Sequence, residues 1–270
     1  MPGPSPAPCP LITLLTDFGA GSGYAAQMKG VILCALAGAS IVDLSHEIPA
    51  YDVLAGALVL EACVPRFPLH AVHCAVIDPG VGTSRRPVCL EDAAGRRFVG
   101  PDNGLFTPFL HSGHVYLLAE RTIVPEPAST TFHGRDLFAP VAAYLAAGGK
   151  SAALGPAVED PVRLRWPIAE RRGDDIHGEC LLPDPFGNVL TSIRSGDLAG
   201  QRPLAVSVGG RPVRFVATFG EGRPGEVVAL LGSGGRVEIA VREASAAQML
   251  GCRRGDPVMV KLGARERPPP

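Results

Sequence analysis

The chain has 270 residues, a net charge of −1 and an ordinary apolar share of 46%. That length is enough for a large core and for two domains. The balanced charge, the lack of any basic run and the scarcity of aromatics argue against a nucleic-acid partner, and the longest apolar stretches, such as residues 53–64, are too short to span a bilayer.

The first half alternates strand and helix signals. Residues 11–15 read as a buried strand, 24–36 as a helix, 40–44 as a strand, 53–63 as a helix and 69–77 as a strand. A hairpin is expected from 87–90 and 97–99 around Asp92-Ala93-Ala94-Gly95. A short helix over 104–110, a strand over 115–118 and a helix over 136–147 complete the half. Such alternation predicts an α/β domain over 11–150, with a mainly parallel sheet and flanking helices. Between about 148 and 173 the pattern dissolves into Gly, Pro and charge, so 151–172 is read as a linker. Short β runs follow at 178–182, 189–193, 204–208, 213–218, 227–231, 237–241 and 258–261. They predict a smaller all-β domain over 173–264, a barrel or a sandwich. The Pro-rich residues 1–10 and the tail Pro268-Pro269-Pro270 are expected to fray.

No basic stretch precedes an apolar core at the start, so no secretory leader is read there. The seven cysteines form no C-x-x-C pair, and most sit in apolar runs, among them Cys34, Cys63, Cys74 and Cys180. Buried free thiols in a reducing cytoplasm are the expectation.

The densest signal is Ala75-Val76-Ile77-Asp78-Pro79-Gly80-Val81-Gly82-Thr83-Ser84-Arg85. An apolar strand ends on a carboxylate, and Pro and two Gly then allow a tight reversal. That reversal can bring Arg85 within ion-pairing reach of Asp78 at a strand end, where open α/β sheets bind ligands. Thr16-Asp17-Phe18-Gly19 closes the first strand ahead of a Gly-rich loop. Asp17 there either holds the two hydroxyls of a ribose or caps the turn. A dinucleotide fingerprint fails, because Tyr24 stands where its last Gly belongs. A kinase Asp-Phe-Gly fails for want of partner motifs. His46-Glu47, His70-x-x-His73 and His111-x-x-His114 lack metal-ligand spacing, so no metal is expected. His133 lies in a Gly-flanked loop before a helix, as a catalytic or a structural histidine. Asp184-Pro185-Phe186-Gly187-Asn188 is a hairpin turn or a polar pair for an amine and a base edge. Leu231-Gly232-Ser233-Gly234-Gly235 is a plain turn or a carboxylate cradle of backbone N–H groups.

Taken in order, Thr16 to Gly19, Asp78 to Arg85, Gly100-Pro101-Asp102-Asn103-Gly104, Phe132-His133-Gly134-Arg135-Asp136, Asp184 to Asn188 and Glu238-Ile239-Ala240-Val241 form one set. The set resembles the S-adenosylmethionine (SAM) hydroxide adenosyltransferases, the adenosine-forming SAM hydrolases, which are relatives of the fluorinase and chlorinase. The resemblance spans about residues 11 to 262. It implies a homotrimer with SAM as a substrate rather than a cofactor, bound between the α/β domain of one subunit and the β domain of its neighbour. By position it implies Asp78, Arg85 and His133 as a catalytic triad and Asp17 as the ribose ligand. Tyr51 would line the methionine side. Asp184 would take the ammonium, Asn188 the adenine edge and Ser233 the carboxylate, with Asn103 counted among the substrate-binding residues. Ser22 stands where the family often has an acid, and Gly234 where the fluorinase has Arg. The fluorinase also has Tyr at the Asp78 position, so this chain carries the hydrolytic pattern there.

The implied reaction is attack of water at ribose C5′ with loss of methionine from its sulfonium. A positioned carboxylate with Arg and His suits a nucleophile as weakly acidic as water. A chlorinase-like halogenase, a dinucleotide-dependent oxidoreductase and a non-catalytic SAM or nucleoside sensor are the alternatives.

Overall fold

A computed structural model describes residues 9–263, so residues 1–8 and the triple-proline tail, both expected to fray, lie outside the described residues. The chain divides into two compact units between Trp166 and Pro167.

The first unit is built on β1 (Leu11–Thr16), β2 (Ser40–Ser45), β3 (Val72–Val76), β4 (Pro87–Asp92), β5 (Arg97–Pro101) and β6 (Gly113–Leu117). They form one sheet in the order β2-β1-β3-β5-β4-β6. β1 runs parallel to β2 and β3, and β3 parallel to β5. β4 is antiparallel to both β5 and β6, so the sheet is mixed. The apolar runs of β1 and β3 are buried on both faces, as central parallel strands require. Helices α1 (Tyr24–Ala35) and α3 (Ala139–Ala146) share one core with them: Met28 and Ile32 meet Ile12, Leu14, Cys74 and Val141. Helix α2 (Val53–Cys63) starts where Asp52 accepts the N–H of Ala55 at 3.0 Å, and its Gly56 lets Ile77 and Leu105 approach closely. Phe98 is wholly buried and stacks on Phe109 at 4.4 Å. His73 is a core residue beside it, bonded to Thr13 at 2.8 Å, and burial pushes its pKa down to about 4.

Three expectations in this unit need correction. The helix expected over 104–110 is one tight turn at Thr107–Phe109. Gly104 has φ +94° and Leu164 lies against it, so no helix runs through that residue. The helix expected from residue 136 begins at Gly134, with a π turn over Gly134–Phe138 that leads into α3. The strand expected over 69–77 is trimmed to β3, because Ala71 N–H closes a turn on Pro68 O at 3.0 Å. Much of the stretch read as a linker is hydrogen-bonded to the first unit. Leu117 donates to Pro156 O, Val158 to Val115 O, and Val162 N–H to Asp102 Oδ1, each within 2.9 Å.

The second unit contains β7 (Glu170–Arg172), β8 (Asp175–Pro183), β9 (Val189–Arg194), β10 (Pro203–Val208), β11 (Arg211–Phe215), β12 (Val227–Leu231), β13 (Arg236–Val241) and β14 (Pro257–Leu262). They are ordered β14-β10-β11-β12-β13-β9-β8-β7, and β14 also pairs with β8. Seven strands thus close a barrel, with β7 added outside on β8. Closure settles the choice between barrel and sandwich: Val260 and Val206 face Ile176, Ile193 and Ile239 in one core. A five-residue helix, α4 (Ala246–Leu250), has no counterpart among the sequence expectations. Ser245 caps it by accepting the N–H of Gln248, and Ala247 N–H binds Gly187 O.

All seven cysteines are free. Cys74, Cys89 and Cys180 are buried, and burial pushes each thiol up to about 12. Cys34, expected inside, is exposed, since it lies on the outer side of α1. Among the described residues no helix is long and apolar enough to cross a membrane.

Candidate active site

The first cavity opens beyond the ends of β1 and β3. It holds about 250 Å³ and is lined by Asp17, Tyr51, Asp78 and His133 together with Phe18, Tyr24, Thr131 and Phe132.

Asp78 stands two residues past β3. Its carbonyl accepts the N–H of Val81, Gly80 O accepts both the N–H and the hydroxyl of Thr83, and Gly82 takes φ +77°. The reversal carries Arg85 back onto the carboxylate. Arg85 Nε lies 3.1 Å from Oδ1 and 2.9 Å from Oδ2, and Nη2 lies 2.5 Å from Oδ2. Both side chains are at most a tenth exposed. The guanidinium also faces the Phe138 ring at 5.3 Å.

The same Arg85 nitrogen lies 2.7 Å from His133 Nδ1. A guanidinium has only donors, so Nδ1 accepts, and the imidazole is neutral with its proton on Nε2. Burial and the Arg85 cation both hold the His133 pKa below its usual value, against the pull of Asp78 and Asp136. His133 sits at the mouth of the π turn, a feature that often marks functional sites. Gly134 is walled by Met28, Phe132 and Phe18, each 3.3 Å from where a Cβ would stand. Phe18, Tyr24 and Phe132 pack edge to face, with centroids 5.2–5.8 Å apart. Phe18 and Phe132 belong to the sequence motifs; nothing in the sequence gave them or Tyr24 a place on the wall.

Asp17 Oδ2 accepts the N–H of Tyr51 at 2.8 Å; that residue has φ +67° and is 71% exposed. Asp17 itself lines the cavity. Asn103 does not line it. Its amide donates to Ile77 O at 2.8 Å and accepts from Leu105 N–H, which steadies the strand end just before Asp78.

The second cavity belongs to the barrel unit and holds about 870 Å³. Asp184, Asn188 and Ser233 line it, with Phe186, Phe219 and Glu238. Asp184 folds its own turn: Oδ1 accepts the N–H groups of Phe186 and Asn188, and Oδ2 accepts the Asn188 side-chain amide, all at 2.9 Å. Gly187 takes φ +85° at the corner. Phe186 is 80% exposed beside the cavity. Glu238 had a place in a motif but no role. Burial, with the Asp184 charge nearby, holds its pKa above the usual carboxylate range.

A protein of Salinispora tropica named (R)-S-adenosyl-L-methionine hydrolase is 41% identical over 95% of this chain and all of its own. One of the same name from Thermus thermophilus is 42% identical over 92% of this chain and 98% of its own. A fluorinase of an Actinoplanes species is more distant, 28% identical over 70% of this chain and 73% of its own. The solved structure of a conserved Thermotoga maritima protein superposes with a TM-score of 0.84 at 32% identity, covering 93% of this chain and 99% of that one. Residues 12–155 match the SAM hydroxide adenosyltransferase N-terminal domain, and residues 178–259 match the C-terminal domain, so most of each unit is accounted for and the chain belongs to that family.

Proposed function

We propose that the chain hydrolyses SAM to adenosine and L-methionine. The observation that carries this reading is the contiguous Asp78–Arg85–His133 arrangement at the first cavity of a chain whose relatives are named for that reaction. Water oxygen attacks ribose C5′ in line with the C5′–S bond. That bond breaks, and its electron pair neutralises the sulfonium to the thioether of methionine. The water proton passes to Asp78. Oδ1 is the better acceptor, because it carries one long bond from Arg85 while Oδ2 carries two shorter ones. His133 does not take the proton at Nδ1, which Arg85 occupies; its Nε2–H orients the water. General-base assistance of this kind is worth about 10²–10⁴-fold.

Asp17 holds the ribose diol through Oδ1, and Tyr51 lines the methionine side. Asp184 and Ser233 take the amino-acid end and Asn188 the adenine edge. Asn103 is a positioning residue that acts through Ile77. We place the protein in the cytoplasm as a homotrimer, with the first cavity of one chain completed by the second cavity of its neighbour. In support, each cavity carries only part of the required groups, and each leaves a large aromatic, Tyr51 or Phe186, mostly exposed.

The test is incubation of purified protein with SAM, with and without chloride, and chromatography of the products. Adenosine and methionine in both arms are expected. A chlorinated nucleoside formed only with chloride would show a halogenase instead, and intact SAM in both arms would leave a binding protein.

A further inference from the structure

The His46-Glu47 pair stands just past β2, and none of the chemistry above uses it. Three of its contacts reach one short segment, Thr16 to Ala20, which carries Asp17. His46 Nδ1 lies 2.8 Å from the Thr16 hydroxyl, His46 O accepts the N–H of Gly19 at 2.7 Å, and Glu47 Oε1 accepts the N–H of Ala20 at 2.9 Å. Five residues beyond His46, the N–H of Tyr51 closes on the Asp17 carboxylate. Residues 46–51 therefore run beside the Asp17 turn like a splint, fastened to it at both ends. A bulge makes this possible. Leu14 pairs with Asp43 but Leu15 with Ser45, so β2 holds one extra residue, and the chain is re-aimed to bring His46 to Thr16.

The proton positions give the His46 side chain a specific task. Its Nε2 lies 3.1 Å from Asp43 Oδ1, without the alignment of a hydrogen bond. Against burial, the Lys29 ammonium and His46 itself hold the Asp43 pKa below the usual carboxylate range, so Asp43 is an acceptor only. A carboxylate there favours the imidazole proton on Nε2, which leaves Nδ1 to accept the Thr16 hydroxyl. The Thr16 lone pairs are then turned to the N–H of Phe18, 3.3 Å away. Thr16 thus brackets Asp17, preceding it in the chain and bonded to the residue that follows it. Thr16 is wholly buried and the His46 side chain is a tenth exposed, so water is a poor substitute for either partner.

We propose that His46 is a positioning residue for the ribose: by accepting the Thr16 hydroxyl it holds the Asp17 turn in the form that binds the diol. The assignment rests on the reading of Asp17 as the ribose ligand given above.

The experiment is a double-mutant cycle on the full chain, read as adenosine affinity by calorimetry well below each variant's melting temperature. Adenosine carries the diol and none of the methionine end. His46→Gln puts its amide near the Nε2 position and abandons Thr16, so affinity should fall about tenfold, the loss of one hydrogen bond. His46→Asn sets its amide oxygen near the Nδ1 position, and affinity should stay within about threefold of wild type. In an Asp17→Ala background, His46→Gln should change affinity by less than about twofold, because the group it acts through is gone. The proposal is overturned by a His46→Gln loss that persists in full without Asp17, by equal losses in the Asn and Gln variants, or by wild-type affinity in His46→Gln. Wild-type protein that binds no adenosine refutes the ribose reading itself.

Discussion

Replacing Arg85 by Lys tests the triad most directly. The guanidinium makes a two-pronged contact with Asp78 and reaches His133 Nδ1 from the same nitrogen. A lysine ammonium keeps the charge, but as a compact point donor it cannot span both carboxylate oxygens and the imidazole. One bond to Asp78 survives; the second prong and the His133 bond are lost. Hydrogen bonds to charged groups contribute about 1.5–3 kcal/mol each. Two of them amount to about 3–6 kcal/mol, or roughly 10²–10⁴ in rate at 1.4 kcal/mol per decade. The low exposure of both side chains argues against water replacing the lost contacts. The assay is single-turnover adenosine release, with SAM affinity measured separately by calorimetry. Release should collapse while affinity changes less than about tenfold. An Arg85→Lys variant within a few-fold of wild-type turnover, or one that loses rate and affinity by the same factor, would refute the arrangement as catalytic.

Asp17→Asn keeps an acceptor for the Tyr51 N–H but removes the charge facing the ribose, so adenosine affinity should fall by about 1.5–3 kcal/mol in calorimetry; retained affinity would leave Asp17 as a turn former. The rate should also show its acid limb below pH 6.5. His133 works neutral, its pKa is lowered, and activity is lost only once the pH falls through that lowered value; a limb at or above 6.5 contradicts the assigned tautomer. Mixing Asp78→Asn with Asp184→Ala under conditions of subunit exchange should restore part of the activity that each variant lacks. A mixture that stays inactive despite proven exchange would falsify the shared site.

What could be read in the sequence followed from how local each cause was. β1, β12 and β13 announce themselves as apolar or alternating runs bounded by turn residues. The approach of Arg85 to Asp78 needs only seven residues of turn chemistry. His133 lies 48 residues from Arg85, and only the resemblance linked them. The failed helix at 104–110 has a remote cause, since Leu164, sixty residues on, occupies the space beside Gly104. Asn103 sits in a motif, yet its amide is engaged by a backbone carbonyl 26 residues away. Helix α4 is too short to show a period and depends on a Ser245 cap and a bond to Gly187. The Gly232 backbone that the Glu238 carboxylate lies against is across a hairpin, outside the Glu238 motif.

The closing seam of the barrel bears on biosynthesis. β14 pairs with β10 on one side and β8 on the other, and of the seven barrel strands it is translated last. Until it emerges, β8 and β10 present open edges, the kind of surface that recruits foreign strands. The sheet of the first unit has every strand in hand by Leu117, so it can form on the nascent chain while the barrel waits for residues 257–262. Ribosome stalling or a stop codon shortly before Pro257 would therefore release a chain with an ordered first half and an unsealed second half, a natural substrate for chaperones and proteases.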